Sequence, residues 1–281
     1  MTVNARMPGS LASATGAITV DLGRIAANWR ALATKVAPAR CAAVVKADAY
    51  GLGAERVIAS LARAGCTAFF IATPNEAETA RRIAPDADIY ALDGLVGNAA
   101  GAFARLAVKP VLSTLDDVVA WSALCRARGE NLPAALHIDT GLHRLGLPVR
   151  DVRRLAADPS MMAGITLDLV MSHLASADNP SDPKNRDQLL AFETLSALFP
   201  GVARSIAASD GLMLGPAYHF DLVRPGYALY GGQASQIAPA PVQPAVTVSA
   251  RILAVADVAP GETVGYSATW RAKRPLSRWR M

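Results

Sequence analysis

Residues 41–53 read CAAVVKADAYGLG: an apolar run, a lysine, then a polar stretch with two glycines. A run as short as CAAVV suits a strand covered on both faces better than a helix. The pattern recurs along the chain. Candidate strands are Cys41–Val45, Thr67–Ile71, Asp88–Leu92, Val108–Leu112, Ala134–Ile138, Leu167–Met171, Arg204–Ala207 and Asp221–Val223. Lys109 and Pro110 interrupt the fourth. Helical patterns lie between them. Asp21 can cap a helix with Leu22, Ile25, Ala26, Trp29 and Leu32 on one face. Thr114 can cap Leu115, Val118, Val119 and Cys125, with Gly129 as the stop. Leu189, Phe192, Leu195, Leu198 and Phe199 mark a helix that ends at Pro200-Gly201.

Strand–helix alternation of this kind predicts an α/β fold, a parallel (β/α)8 barrel of the TIM type. Periodicity alone leaves a doubly wound open sheet as the alternative. The barrel is expected over residues 16–232, with Ala17–Val20 a strand that joins a second domain. Gln233–Pro244 is rich in Pro and Ala and reads as a linker. Ala245–Ala256 alternates like an antiparallel strand and precedes the turn Pro260-Gly261. Residues 240–281 are therefore expected to form a partial β-domain.

With 281 residues, 52% of them hydrophobic and 18% charged, the chain has ample apolar surface for a core and is not a disordered one. It lacks the ~18 uninterrupted apolar residues of a membrane helix, and its first residues show no secretory pattern. The three cysteines are widely spaced, which suits neither a metal site nor a disulfide framework and fits a cytoplasmic location. The net charge of +5 comes from the tail RAKRPLSRWRM, whose five bases have no acid beside them. Without them the 28 basic residues fall to 23, matching the 23 acidic ones, so the charge is no sign of nucleic-acid binding.

Polar residues follow the candidate strands, where a barrel carries its active site. Lys46 follows CAAVV directly. A lysine partly desolvated there can form an imine or act as a base. From this residue alone, a lysine snorkelling to a barrel rim is the commoner case. Its neighbours add Tyr50, a hydroxyl donor, and Gly51 and Gly53, which permit close backbone approach. HIDTGLHRLGL (137–147) presents Asp139, His143 and Arg144. MSHLASAD (171–178) presents His173, SIAASDG (205–211) Ser209, and LVRPGYALYGG (222–232) Arg224 and Gly226. The four histidines lack ligand spacing, so no metal is expected.

The strings VVKADAYGLG, DTGLHRLG, SHLASAD, RPGYALYGG and VGYSATW, in that order, resemble the alanine racemases, pyridoxal-phosphate (PLP) enzymes of fold type III. The resemblance spans about residues 16–275. It implies a barrel plus a β-domain, a cytoplasmic head-to-tail homodimer with shared active sites, and D-alanine made for cell-wall peptidoglycan. Lys46 would hold PLP covalently and serve as one racemisation base. Tyr50, Ser209, Gly226 and Tyr227 would bind the phosphate, Arg224 would face the pyridine nitrogen, and His173 would bond to Arg224 near the ring. Arg144 would serve the substrate carboxylate. Tyr266 in VGYSATW would be the second base, reaching the partner's site; outside the motif, a tyrosine after a turn is more often a packed aromatic. A non-catalytic PLP carrier is the alternative from another class. A decarboxylase of the same fold type would place an acid where this chain has Arg224.

Three departures carry expectations. Many family members have a carbamylated lysine where this chain has His137, so a bound anion or another acid is expected to take over that charge. Ala208-Ser209 replaces the usual Asn-Ser. The family's β-domain continues well past the RAKRP region, whereas here the sequence turns to PLSRWRM. A frameshift or early stop would produce such a switch, and the expected cost is exposed strand edges, weak association and slow racemisation.

Overall fold

A computed structural model describes residues 14–233, 241–274 and, as backbone alone, 276–280. The candidate linker therefore lies mostly outside the described residues. The chain divides into two compact units. One is Asp21–Ala245; the other combines the segment ending at Val20 with the segment beginning at Val246.

The first unit is a closed barrel of eight parallel strands. They are β1 (Arg40–Cys41 with Ala43–Val44), β2 (Ala68–Ile71), β3 (Asp88–Ala91), β4 (Lys109–Leu112), β5 (Leu132–His137), β6 (Ile165–Met171), β7 (Ala203–Ser205) and β8 (Leu222–Val223). Neighbours from β1 to β7 pair in sequence order. β8 pairs with Arg40–Cys41 of β1. It joins β7 through Asp221 N–H to Arg204 O (3.1 Å) and Arg224 N–H to Ala207 O (2.9 Å), which excludes the open sheet. Inside, Val44, Phe70, Val111, Ala135, Leu169 and Leu222 form the core from six of the strands.

The outer helices are α1 (Leu22–Val36), α2 (Ala54–Ala64), α3 (Pro74–Ile83), α4 (Ala99–Arg105), α5 (Leu115–Arg128), α6 (Val149–Ala157) and α7 (Pro183–Ser196). Asp21 caps α1, accepting from Arg24 N–H at 3.0 Å, and Ile25, Ala26, Trp29 and Leu32 are buried. α1 precedes β1 and takes the place of a helix after β8. Its buried Asn28 donates to Leu229 O (3.0 Å) and Gln243 O (2.8 Å), beyond the last strand. Thr114 caps α5 in a reciprocal box with Asp117, and Gly129 ends it with φ 64°. Val119, expected on the buried face, is instead exposed, while Trp121 fills that face. Met161 and Met162, a pair whose apolar side chains suit gap-filling core, sit instead in a half-exposed turn.

Lys109 and Pro110 do not break β4. Pro110 stands in register with Ala91. The Lys109 ammonium pairs with Asp88 Oδ1 (2.7 Å) and Asp168 Oδ2 (2.8 Å), and Tyr90 O–H also donates to Asp168. The charge is thus partnered, which offsets its desolvation.

In the second unit Gly16–Val20 pairs antiparallel with Val246–Ala250. Val255–Val258 pairs with Leu276–Arg280, and Thr263–Val264 with Trp270–Arg271. The alternating run stops being a strand at Ala250, and Val248 and Ile252 are exposed. No helix among the described residues is long and apolar enough to cross a membrane. The three cysteines are free and buried.

Candidate active site

A cavity of about 490 Å³ opens at the C-terminal ends of the strands. Lys46, Tyr50, Arg144, His173, Ser209, Arg224, Gly226 and Tyr227 all line it, together with His137. Tyr266 belongs to the other unit, where it is 99% exposed.

Lys46 leaves β1 into a feature that sequence reasoning missed. Ala47, Asp48, Ala49 and Tyr50 all have positive φ, from 53° to 59°, and form one left-handed turn. Each such non-glycine residue costs about 1–2 kcal/mol, so local bonds must hold the turn. Ala49 N–H donates to Val45 O (2.9 Å), Gly53 N–H to Asp48 O (3.0 Å), and Asp48 Oδ1 accepts from Ala54 N–H (2.7 Å) at the start of α2. Gly51 and Gly53, expected beside a ligand, are not in the cavity wall; both continue the left-handed path, with φ of 81° and 92°. The turn carries Tyr50 to the cavity, where partial desolvation pushes its phenol pKa up although the side chain keeps an exposed edge.

Opposite lies a small cradle. Ser209 Oγ accepts from Gly226 N–H (3.0 Å) and Ala228 N–H (3.2 Å), leaving its own proton for a ligand oxygen. A Cβ at position 226 would lie 2.1 Å from Tyr50 Oη, so a side chain there would push the tyrosine hydroxyl out of the cradle. The tyrosine hydroxyl, serine hydroxyl and close-lying backbone suit a small anion.

Arg224 is buried, 3% exposed. It donates from one terminal nitrogen to Ser205 Oγ and from the other to Ser172 O (2.6 Å). Among the described residues no hydrogen bond joins His173 to Arg224, although the resemblance implies one. Burial lowers the Arg224 pKa to about 9, still cationic at neutral pH. Both histidines sense that charge. Burial, then Arg224, pushes His173 down to about 3 and His137 to about 4. His137 is thus a neutral group and supplies no negative charge beside Arg144. The Arg144 loop is shaped by Asp139, which accepts from Gly141 N–H (2.9 Å), His143 N–H (3.1 Å) and the His143 ring (2.8 Å).

The neutral histidines set a pH dependence. The unfolded chain protonates both near their ordinary pKa of about 6.5 and the native chain does not, so the unfolded state binds more protons. Stability is full above about pH 6.5 and falls below it, by up to roughly 1.4 kcal/mol per histidine per pH unit. Chemical denaturation should show this decline between about pH 6.5 and about pH 5. The double variant His137→Asn, His173→Asn should flatten it; an unchanged slope would mean that these imidazoles are not held neutral.

A closed barrel with a lysine after its first strand, a buried arginine and an anion cradle at one mouth is the framework of a barrel enzyme. The family model described as "Alanine racemase, N-terminal domain" matches residues 20–234. The alanine racemase of Methylobacterium sp. (strain 4-46) is 46% identical over 258 residues, which cover 92% of this chain and 71% of the relative. The biosynthetic alanine racemase of Agrobacterium fabrum is also 46% identical, covering 92% of this chain and 66% of the relative. Among solved structures, the Bartonella henselae alanine racemase with covalently bound pyridoxal phosphate has a TM-score of 0.86 and 36% identity, covering 93% of this chain and 73% of that one. This chain belongs to the alanine racemase family.

Proposed function

We propose that this chain interconverts L- and D-alanine with PLP held in the barrel cavity. The observation that carries the reading is that Lys46, the Ser209–Gly226 cradle and the buried Arg224 line one cavity. These residues fit the cofactor. The cradle has the Ser209 hydroxyl proton for a phosphate oxygen, a side chain at Gly226 would displace Tyr50 from it, and Lys46 is an amine for covalent attachment. Tyr50 and Tyr227 would complete the phosphate site, and Arg144 would bind the substrate carboxylate.

Bound PLP supplies the electron sink that lets the Cα–H bond of alanine ionise. Arg224, a fixed cation, would keep the ring nitrogen unprotonated and moderate that withdrawal. His173 and His137, neutral beside it, add no competing charge. Inversion needs a proton removed from one face and another delivered to the opposite face. Lys46 would serve one face; Tyr266, from the second subunit of a homodimer, would serve the other. The product would supply peptidoglycan synthesis, a reading supported by the biosynthetic relative.

The test is turnover in deuterated water. With PLP, the purified chain should convert each enantiomer of alanine into the other and place deuterium at Cα. A chain that binds PLP yet exchanges neither enantiomer would refute the proposal.

A further inference from the structure

We propose that Glu76 is a positioning residue for Lys46, an inference that rests on Lys46 being the cofactor anchor. Glu76 lies in the first turn of α3 and is not part of the cavity wall. Its carboxylate accepts three backbone N–H groups. Oε1 takes Ala47 N–H at 2.7 Å; Oε2 takes Ala72 N–H at 2.6 Å and Thr73 N–H at 3.4 Å. Helix capping needs only the Thr73 bond, the longest of the three. The two short bonds instead join the residue after Lys46 to the residue after β2.

That link sits where the chain is strained. Ala47 opens the left-handed turn, with φ 53°. On the other side of Lys46, Val45 N–H donates to Phe70 O at 2.9 Å, in register with β2. The backbone is therefore fixed on both sides of Lys46 to the same neighbouring strand end: by a sheet bond before it and by Glu76 after it. Lys46 has a defined direction because the Ala47 peptide cannot rotate without giving up a charge-assisted bond. Both oxygens are needed. Glutamine has one acceptor oxygen and would turn an NH2 group toward one of the two short-bonded donors.

The experiment follows covalent attachment rather than turnover. The apo chain is mixed with PLP, quenched with borohydride at intervals, and the reduced adduct located by peptide mass spectrometry. Wild type should label Lys46. Glu76→Gln should label it about tenfold more slowly, the scale expected for loss of one charge-assisted bond, while equilibrium PLP binding through the cradle persists. Thr73→Ala removes the other half of the same helix cap and should label at the wild-type rate. Equal rates for Glu76→Gln and wild type, or equal slowing by Thr73→Ala, would overturn the proposal. If Glu76→Gln does not fold, an ester in place of the Lys46–Ala47 peptide removes only the N–H; it should slow labelling likewise, and a normal rate would overturn the proposal. A wild-type adduct on another lysine would instead overturn the cofactor assignment itself, and this inference with it.

Discussion

Replacing Lys46 with alanine is expected to abolish the borohydride-fixable PLP adduct and to lower alanine racemisation by on the order of 10³-fold or more. The lysine has two roles in the proposed reaction, attachment and proton transfer, so its loss removes both. The cradle would be left intact. Ser209 and Gly226 are held to each other and not to Lys46, and Arg224 is held by Ser205 and Ser172. PLP should therefore still bind, reversibly. That separation makes the measurement decisive: a Lys46→Ala protein that retains a reducible adduct at full stoichiometry would place the anchor elsewhere.

Tyr266→Phe should give the second large effect, on one face only. Deuterium exchange from one enantiomer of alanine should fall by about 10²- to 10⁴-fold while exchange from the other continues, because Lys46 still serves its own face. The structure makes this variant a clean one. Tyr266 is 99% exposed, so its ring is not the packed surface aromatic that a lone tyrosine after a turn usually is, and loss of its hydroxyl should cost the fold little. Equal residual exchange from both enantiomers would place the second base on another residue.

The barrel was largely legible in the chain because its strands are covered on both faces and read as unbroken apolar runs. CAAVV, AFFI and LVM announce themselves in this way, and caps at Asp21 and Thr114 mark the helices between them. The cavity residues were legible for a related reason. Barrel geometry brings the residues after each strand to one mouth, so Lys46, Arg144, His173, Ser209 and Arg224 share a cavity although they are far apart in sequence. The strand at Lys109–Leu112 was harder to read, since a lysine contradicts an apolar run until Asp88 and Asp168 arrive from two other strands to pair with it.

Residue order by itself determined the alternation of strands and helices, the helix caps and the chemistry available after each strand, because these follow from local periodicity and side-chain type. Tertiary structure alone decided three things. Closure depends on the bonds from Asp221 and Arg224 to β7, which a periodic pattern cannot distinguish from an open edge. The neutrality of His137 and His173 depends on burial beside Arg224, a cation held by a hydroxyl and a carbonyl at the ends of the two preceding strands. The left-handed turn after Lys46 runs against local preference. Thr73 and Glu76 announce a helix cap in sequence, but the short bond to Ala47 exists only because the barrel sets β1 beside β2.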